Sequence, residues 1–363
     1  MVEPPRLVDI GLVRRGYSAT GGAEAYLLRL AAGLQAKGCK ATLYTTRDWP
    51  SERWTFGDLI RLDASHPLQF ARAFQRARRP GQIVLSLDRI PGCDVFRAGD
   101  GVHAAWLERR SHFESAWRRR LRIFNWKHAA LLALERQVFE NVRAVIANSR
   151  MVAREILHWH DFPEEKIHIV PNGIGRALST ISQRQARQQL EIPEHAFCAL
   201  FVGTGWERKG LRFAIEAVEA LGGDALLLVA GRGNVRQFSS ARAKFVGATD
   251  NLVALYSAAD VFTLPTIYDP FSNACLEALA AGLPVVTTTA NGFSEIVTPG
   301  VHGDIVEPGD VRALTHALEC WKERNSARTS ADCQQLAKDY SIERNVNATL
   351  DLLMAVGPAQ RKT

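Results

Sequence analysis

Apolar runs of strand length alternate with amphipathic segments of helix length, and this rhythm constrains the chain more than any other feature. It begins with an apolar run at 7–13, a helical pattern at 23–37 and a second run at 41–45, the order β-α-β. Such units demand a parallel sheet covered on both faces, because each crossover helix must bury its apolar stripe on the sheet. The rhythm continues at 83–87, 144–147 and 167–170, then starts again at 198–203, 225–230, 261–264 and 284–288. The expected fold class is therefore α/β, with two Rossmann-like, doubly wound parallel-sheet domains. At 363 residues and 47% hydrophobic composition, the chain has enough material for two cores.

Pro171-Asn172-Gly173-Ile174 is turn-forming, and a polar stretch, 175–194, follows it. This places an expected boundary after residue 172, giving domains 1–172 and 173–340. The last helical pattern, 341–356, comes after the second sheet is complete, so 341–363 is expected to pack back onto the first domain.

Charge divides unevenly between the halves. Residues 1–170 hold 27 basic and 18 acidic side chains, a net +9, within a whole-chain charge of +7. No apolar stretch nears the roughly 18 residues a spanning helix needs, and the first residues lack the basic and apolar regions of a secretory signal. A cytoplasmic location is the expectation. The six cysteines are scattered singly, without zinc or disulfide spacing, and read as reduced thiols.

Three loops carry candidate chemistry. Gly21 and Gly22 open the first helix, where small residues and free N–H groups suit a phosphate; an ordinary strand-to-helix turn fits equally. Gly203-Thr204-Gly205-Trp206-Glu207-Arg208-Lys209-Gly210 follows a strand and sets two cations before a helix. Cations there oppose the helix dipole, so a bound diphosphate is a better reason for Arg208 and Lys209 than solvation alone. The third loop runs from Asp269 through Pro270, Phe271, Ser272 and Asn273 to Glu277, with Gly282-Leu283-Pro284 ending its helix. Asp269 and Glu277 can accept hydroxyl hydrogens at the strand ends, and the N–H groups of Phe271, Ser272 and Asn273 can hold a phosphate or sugar oxygen. The competing reading makes Asp269 a helix cap and Glu277 an outward charge.

These loops, the acid-x7-Glu spacing, the Arg-Lys-Gly turn and the Pro-Asn-Gly hinge together resemble the retaining glycosyltransferases of family 4, which have the two-domain GT-B fold. Arg89-Ile90-Pro91-Gly92-Cys93-Asp94-Val95-Phe96, Gly99-Asp100-Gly101-Val102-His103 and the basic segment after them are similar to the glucosyltransferases of the lipopolysaccharide core. The resemblance implies that Glu277 holds the ribose of a nucleotide sugar and that Asp269 contacts the transferred hexose. Arg208 and Lys209 would neutralise the diphosphate, with Gly22 backing it. Asp replaces the commoner Glu at 269, which shortens the carboxylate's reach. His103 would orient the donor sugar and Asp100 would contact the acceptor, whereas a turn cap and a polar loop residue are the plainer roles for this pair. The resemblance further implies a UDP-hexose as co-substrate, no cofactor, and a lipid-linked phosphorylated oligosaccharide as acceptor. No Asp-x-Asp pair is present, so no catalytic metal is expected.

Residues 106–128 hold seven Lys/Arg against two Glu, interleaved with Trp106, Phe113, Trp117, Leu121, Phe124 and Trp126. The mixture suits a helix lying in an anionic headgroup layer, and peripheral attachment to the inner face of the cytoplasmic membrane is the expectation. Core packing and nucleic-acid binding are the alternatives, the latter set aside because no nucleic-acid module accompanies the segment. A nucleotide-sugar epimerase is the other enzyme reading, and a membrane- or nucleic-acid-binding scaffold the non-enzymatic one.

Overall fold

The computed structural model describes residues 8–19, 21–115, 117, 120, 125–175, 181–249, 251–324 and 326–357. The chain divides into two compact units, Met1–Gly173 with Ile342–Thr363, and Ile174–Ser341.

Among the described residues, unit 1 is built on seven parallel strands: β1 (Asp9–Val13), β2 (Lys40–Thr45), β3 (Leu59–Arg61), β4 (Ile83–Ser86), β5 (Val95–Arg97), β6 (Ala144–Ala147) and β7 (Ile167–Ile169), in the order β3-β2-β1-β4-β5-β6-β7. The helices are α1 (Gly22–Ala36), α2 (Pro67–Ala77), α3 (His103–Ser111), α4 (Trp126–Asn141) and α5 (Arg150–Trp159). The order reverses between β1 and β4, and a doubly wound sheet binds ligands at the carboxyl ends of its strands beside such a reversal. Ile10, Leu12, Leu43 and Leu85 from the strands pack on Leu27, Leu30 and Leu34 of α1 to make the core. The chain's last helix, Ile342–Val356, joins this core through Val346 and Leu353, and Tyr26 donates its hydroxyl to Asn345 Oδ1 at 2.9 Å. Gly33 admits that helix, since a Cβ there would lie 2.4 Å from Val346.

Unit 2 has six parallel strands among the described residues: β8 (Cys198–Val202), β9 (Leu226–Ala230), β10 (Ala243–Gly247), β11 (Val261–Leu264), β12 (Val285–Thr288) and β13 (Gly303–Val306), ordered β10-β9-β8-β11-β12-β13. Its helices are α6 (Gln183–Gln189), α7 (Leu211–Leu221), α8 (Leu252–Ala258), α9 (Asn273–Ala280), α10 (Val311–Lys322) and α11 (Ser326–Lys338), which makes Ile342–Val356 α12. The reversal here lies between β8 and β11.

Four strands depart from the expected pattern. β3, β10 and β13 are sheet edges of half-buried residues, so they carry no continuous apolar run. β5 is interior but only three residues long, and it ends on Arg97, a buried cation over the Tyr26 ring at 3.8 Å and bonded to Asn172 Oδ1. The polar stretch 175–194 is also not all linker. Ser182 and Gln185 form a capping box that starts α6, and buried Arg187 pairs with Asp260 at 2.8 Å. All six cysteines are free; five are buried, and burial pushes the thiols of Cys93, Cys198, Cys275 and Cys333 up to about 12.

Candidate active site

In unit 2, the loops after β8 and β11 meet beside the strand-order reversal. The Arg208 carbonyl accepts the Ile267 N–H at 2.9 Å and the Thr266 hydroxyl at 2.8 Å, and the Arg208 guanidinium donates to the Tyr268 carbonyl at 3.0 Å. Gly210 makes the approach possible: it is the N-cap of α7 at φ 75°, and a Cβ on it would stand 1.9 Å from the Pro265 carbonyl oxygen. Gly203 lies under the aliphatic stem of Lys209, 3.5 Å from where its own Cβ would be. Arg208 and Lys209 are thus half-buried and directed by structure, which disposes of a solvated-charge reading.

Lys209 Nζ forms an ion pair with the Asp269 carboxylate, and the two side chains are only 12% and 7% exposed. Asp269 is fixed on its backbone as well, donating its N–H to the Ala290 carbonyl at 2.9 Å and accepting the Gly292 N–H at 2.8 Å. It does not cap the helix, for Ser272 is the N-cap of α9 and accepts from Cys275 N–H. One expected phosphate donor is also engaged, because Ser272 N–H donates to Asn291 Oδ1 at 3.3 Å. Asn291, wholly buried, ties the α9 start to the loop after β12. Phe271 is buried and packs edge-on against Phe293 at 5.7 Å, a structural role, while Asn273 is half-buried as the first residue of α9.

Glu277 sits one turn into α9, half-buried, and accepts the Tyr256 hydroxyl at 3.2 Å. The same hydroxyl contacts the Ala274 carbonyl at 3.3 Å, so Tyr256 holds the carboxylate against the helix. Burial, together with Glu277's charge and hydrogen bond, raises the Tyr256 pKa well above the usual phenol, so this proton stays in place. Glu277 is therefore held inward, not outward.

In unit 1, the β1–β4 reversal gathers Arg14 with three carboxylates: Glu24 at 3.1 Å, Asp88 at 3.2 Å and Asp100 at 3.5 Å. Their charges outweigh its burial and raise the Arg14 pKa. Gly21 is the N-cap of α1 and Gly22 its first residue. An Oε2 of Glu24 lies 1.7 Å from the position of a Gly21 Cβ, so the helix start is covered by its own carboxylate. Glu24 is in turn paired with Arg14, so the start of α1 lies beside an ion pair of carboxylate and guanidinium.

Asp100 is exposed, three residues past β5, whereas His103 is buried as the first residue of α3. Its N–H donates to Glu135 Oε1 at 2.8 Å, and its Nε2 lies 3.1 Å from His128 Nδ1. Glu135, on α4, also accepts from Arg89 at 2.7 Å. Burial alone would raise its pKa; contacts from His160, Arg89 and the His103 N–H overcome that and lower it to about 2. Sequence reasoning missed Glu135, Arg14, Tyr256 and Asn291, none of which lies in a spaced motif.

Unit 1 also has an open cavity of about 420 Å³ beyond β1, β2 and β3, lined by Arg15, Gly16, Thr46, Arg47, Asp48 and Asp63 among others. Within 106–128, Arg109 pairs with Glu155 at 2.9 Å and Arg110 with Glu114, while Trp117 and Trp126 are 60% and 54% exposed. Arg118, Arg119, Leu121, Arg122 and Phe124, part of the expected membrane-binding set, lie outside the described residues. Among the described residues no helix is long and apolar enough to cross a membrane, and no His/Cys/Asp/Glu group of three or more could hold a metal ion.

Two doubly wound units, one with paired cations and carboxylates at its strand-order reversal, define a glycosyltransferase of GT-B fold. A family model described as "Glycosyl transferases group 1" matches residues 196–322, and one described as "Glycosyltransferase Family 4" matches 20–177. The chain therefore carries glycosyltransferase domains of these two descriptions, one matching its front half and one its back half. It is 27% identical to the lipopolysaccharide glucosyltransferase WaaG of Escherichia coli K12, over 90% of this chain and 94% of that protein. It is 30% identical to the lipopolysaccharide core biosynthesis glycosyltransferase LpsE of Rhizobium meliloti 1021, over 59% and 65% of the two chains. The crystal structure of WaaG matches with a TM-score of 0.80 at 22% identity, covering 95% of this chain and 99% of that one. Anabaena HepE, solved in complex with UDP and glucose, matches with a TM-score of 0.73 at 18% identity, covering 94% and 99%.

Proposed function

We propose that this glycosyltransferase moves a hexose, glucose before others, from UDP to a heptose of the lipopolysaccharide inner core, with retention of configuration and without a metal or other cofactor. The observation that carries this reading is the ion pair of Lys209 with Asp269, which joins the loops after β8 and β11, with Arg208 bonded to the second loop and Glu277 held by Tyr256 in the helix that follows it. Cations, a carboxylate held by a tyrosine and a second carboxylate match in kind the diphosphate, ribose and hexose of one donor. The likeness to WaaG and LpsE, and the UDP and glucose named with HepE, support the choice of donor and acceptor.

In this reading Lys209 exchanges Asp269 for the diphosphate as the donor binds, which releases Asp269 to accept hexose hydroxyls. Arg208 stabilises charge on the departing UDP, and Glu277 takes the ribose hydroxyls. The bond from the anomeric carbon to the phosphate oxygen breaks, the acceptor oxygen forms its bond on the same face, and the departing phosphate oxygen takes the acceptor proton. Such a step needs orientation and charge stabilisation rather than an enzymic nucleophile. Asp100 contacts the acceptor and His103 orients the donor sugar. The acceptor is lipid-linked and phosphorylated, and exposed Trp117 and Trp126 with Arg120 and Lys127 favour reversible attachment to an anionic membrane surface at its cytoplasmic side.

The test is transfer from UDP-glucose to lipopolysaccharide truncated at its inner-core heptose, in EDTA, with the new linkage read by NMR. An α-glucosyl product is expected. A β product, a requirement for metal, or transfer only from another nucleotide sugar would overturn the corresponding part of the reading.

A further inference from the structure

The first residue of α3 is held at two points by one face of one helix. Glu135 accepts the N–H groups of His103 at 2.8 Å and Ala104 at 3.4 Å, at a helix start whose N-cap residue, Val102, supplies no side-chain cap. His128 places Nδ1 3.1 Å from His103 Nε2, with the two rings tilted by 31° and their centroids 5.2 Å apart. His128 and Glu135 are seven residues apart on α4, hence on the same face about two turns along. Glu135 is itself anchored by Arg89, which also donates to the Gly101 carbonyl at 2.7 Å and so fixes the loop between Asp100 and His103.

We propose that His128 and Glu135 are positioning residues for the transfer reaction: Glu135 fixes the backbone of His103, and His128 fixes its ring orientation and tautomer. A neutral imidazole carries one N–H. When His128 donates across the 3.1 Å contact, the His103 proton must sit on Nδ1; when His128 accepts, it must sit on Nε2. His128 thereby decides whether His103 Nδ1 is a donor or an acceptor toward a sugar oxygen. This inference rests on the reading above that His103 acts on the donor.

The experiment compares wild type, His103→Ala, His128→Ala, His128→Asn and Glu135→Gln, using UDP-glucose and heptose-terminated lipopolysaccharide, with ¹⁵N NMR of the His103 ring. His128→Ala is expected to lower kcat roughly ten- to hundredfold at nearly unchanged KM for UDP-glucose, since misplacing a reacting group costs on that order. Its His103 ring nitrogens should move from one tautomer's shifts toward the averaged values of a free imidazole. In His128→Asn an amide stands close to the place of Nδ1, so much of kcat and the tautomer should return. Glu135→Gln should lower kcat with its NMR tautomer retained. A wild-type kcat in His103→Ala overturns the role of His103 in the reaction. A His103 tautomer unchanged in His128→Ala overturns the positioning by His128, whatever the rates.

Discussion

Replacing Lys209 by Met keeps the stem that covers Gly203 but removes the ammonium from a pair whose side chains are 12% and 7% exposed. The Asp269 carboxylate would then be buried without its cation, held in place by backbone bonds to Ala290 and Gly292 that leave it little room to turn outward. Breaking one side of a buried pair costs about 3–5 kcal/mol. Scanning calorimetry should find that loss in unfolding. Asp269→Asn should cost less, because the lysine can reorient its flexible stem toward water, and the double substitution should be more stable than the sum of the two predicts. The binding consequences run in opposite directions. A charge-assisted hydrogen bond contributes about 1.5–3 kcal/mol, so Lys209→Met should weaken UDP binding roughly ten- to hundredfold. Asp269→Asn frees Lys209 for the diphosphate and should leave UDP affinity equal or higher while turnover collapses. Equal effects of the two substitutions on UDP affinity, or none from either, would refute the exchange of partners by Lys209.

Two further outcomes follow from the packing. Glu135 has a folded pKa of about 2 against a reference of 4.5, so its contribution to stability is complete above pH 4.5 and is lost as pH falls toward 2. Glu135→Gln should flatten that acid limb, removing on the order of 3 kcal/mol of pH dependence, measurable by urea unfolding at a series of pH values. Gly210→Ala introduces a side chain at φ 75° with a Cβ 1.9 Å from the Pro265 carbonyl oxygen. The left-handed backbone alone costs about 1–2 kcal/mol, so calorimetry should show at least that loss, with UDP binding weakened as the Arg208 and Tyr268 loops separate.

The fold was legible because its central strands are short, mostly apolar runs buried on both faces, as in Leu226–Ala230 and Val261–Leu264. Edge strands such as Gly303–Val306 lack that pattern, and Val95–Arg97 hides because it ends on a buried cation whose contacts, a tyrosine face and an asparagine, lie far away in sequence. The unit 2 loops were legible as motifs, since Arg208, Lys209, Asp269 and Glu277 lie in two short segments. Their pairing was not: the Lys209–Asp269 contact spans 60 residues and depends on the adjacency of β8 and β11, which only the strand order reveals. At Gly21 and Gly22 the sequence did not reveal the contact made by a neighbour three positions away. Glu24 looks like an ordinary first-turn acid in sequence, yet it folds back over Gly21 because Arg14 holds it there. Glu135 left no signal, because one buried glutamate on an amphipathic helix resembles a surface charge until its partners on three other segments are in place.

Calorimetric titration of UDP, GDP and ADP, then UDP-glucose, into wild type and Glu277→Ala tests most directly whether unit 2 is the donor site. The account predicts selective binding of UDP and UDP-glucose by wild type. Glu277→Ala should lose roughly tenfold or more through the missing charge-assisted bonds to ribose. Equal binding of all three nucleotides, or UDP affinity untouched in Glu277→Ala, would contradict it.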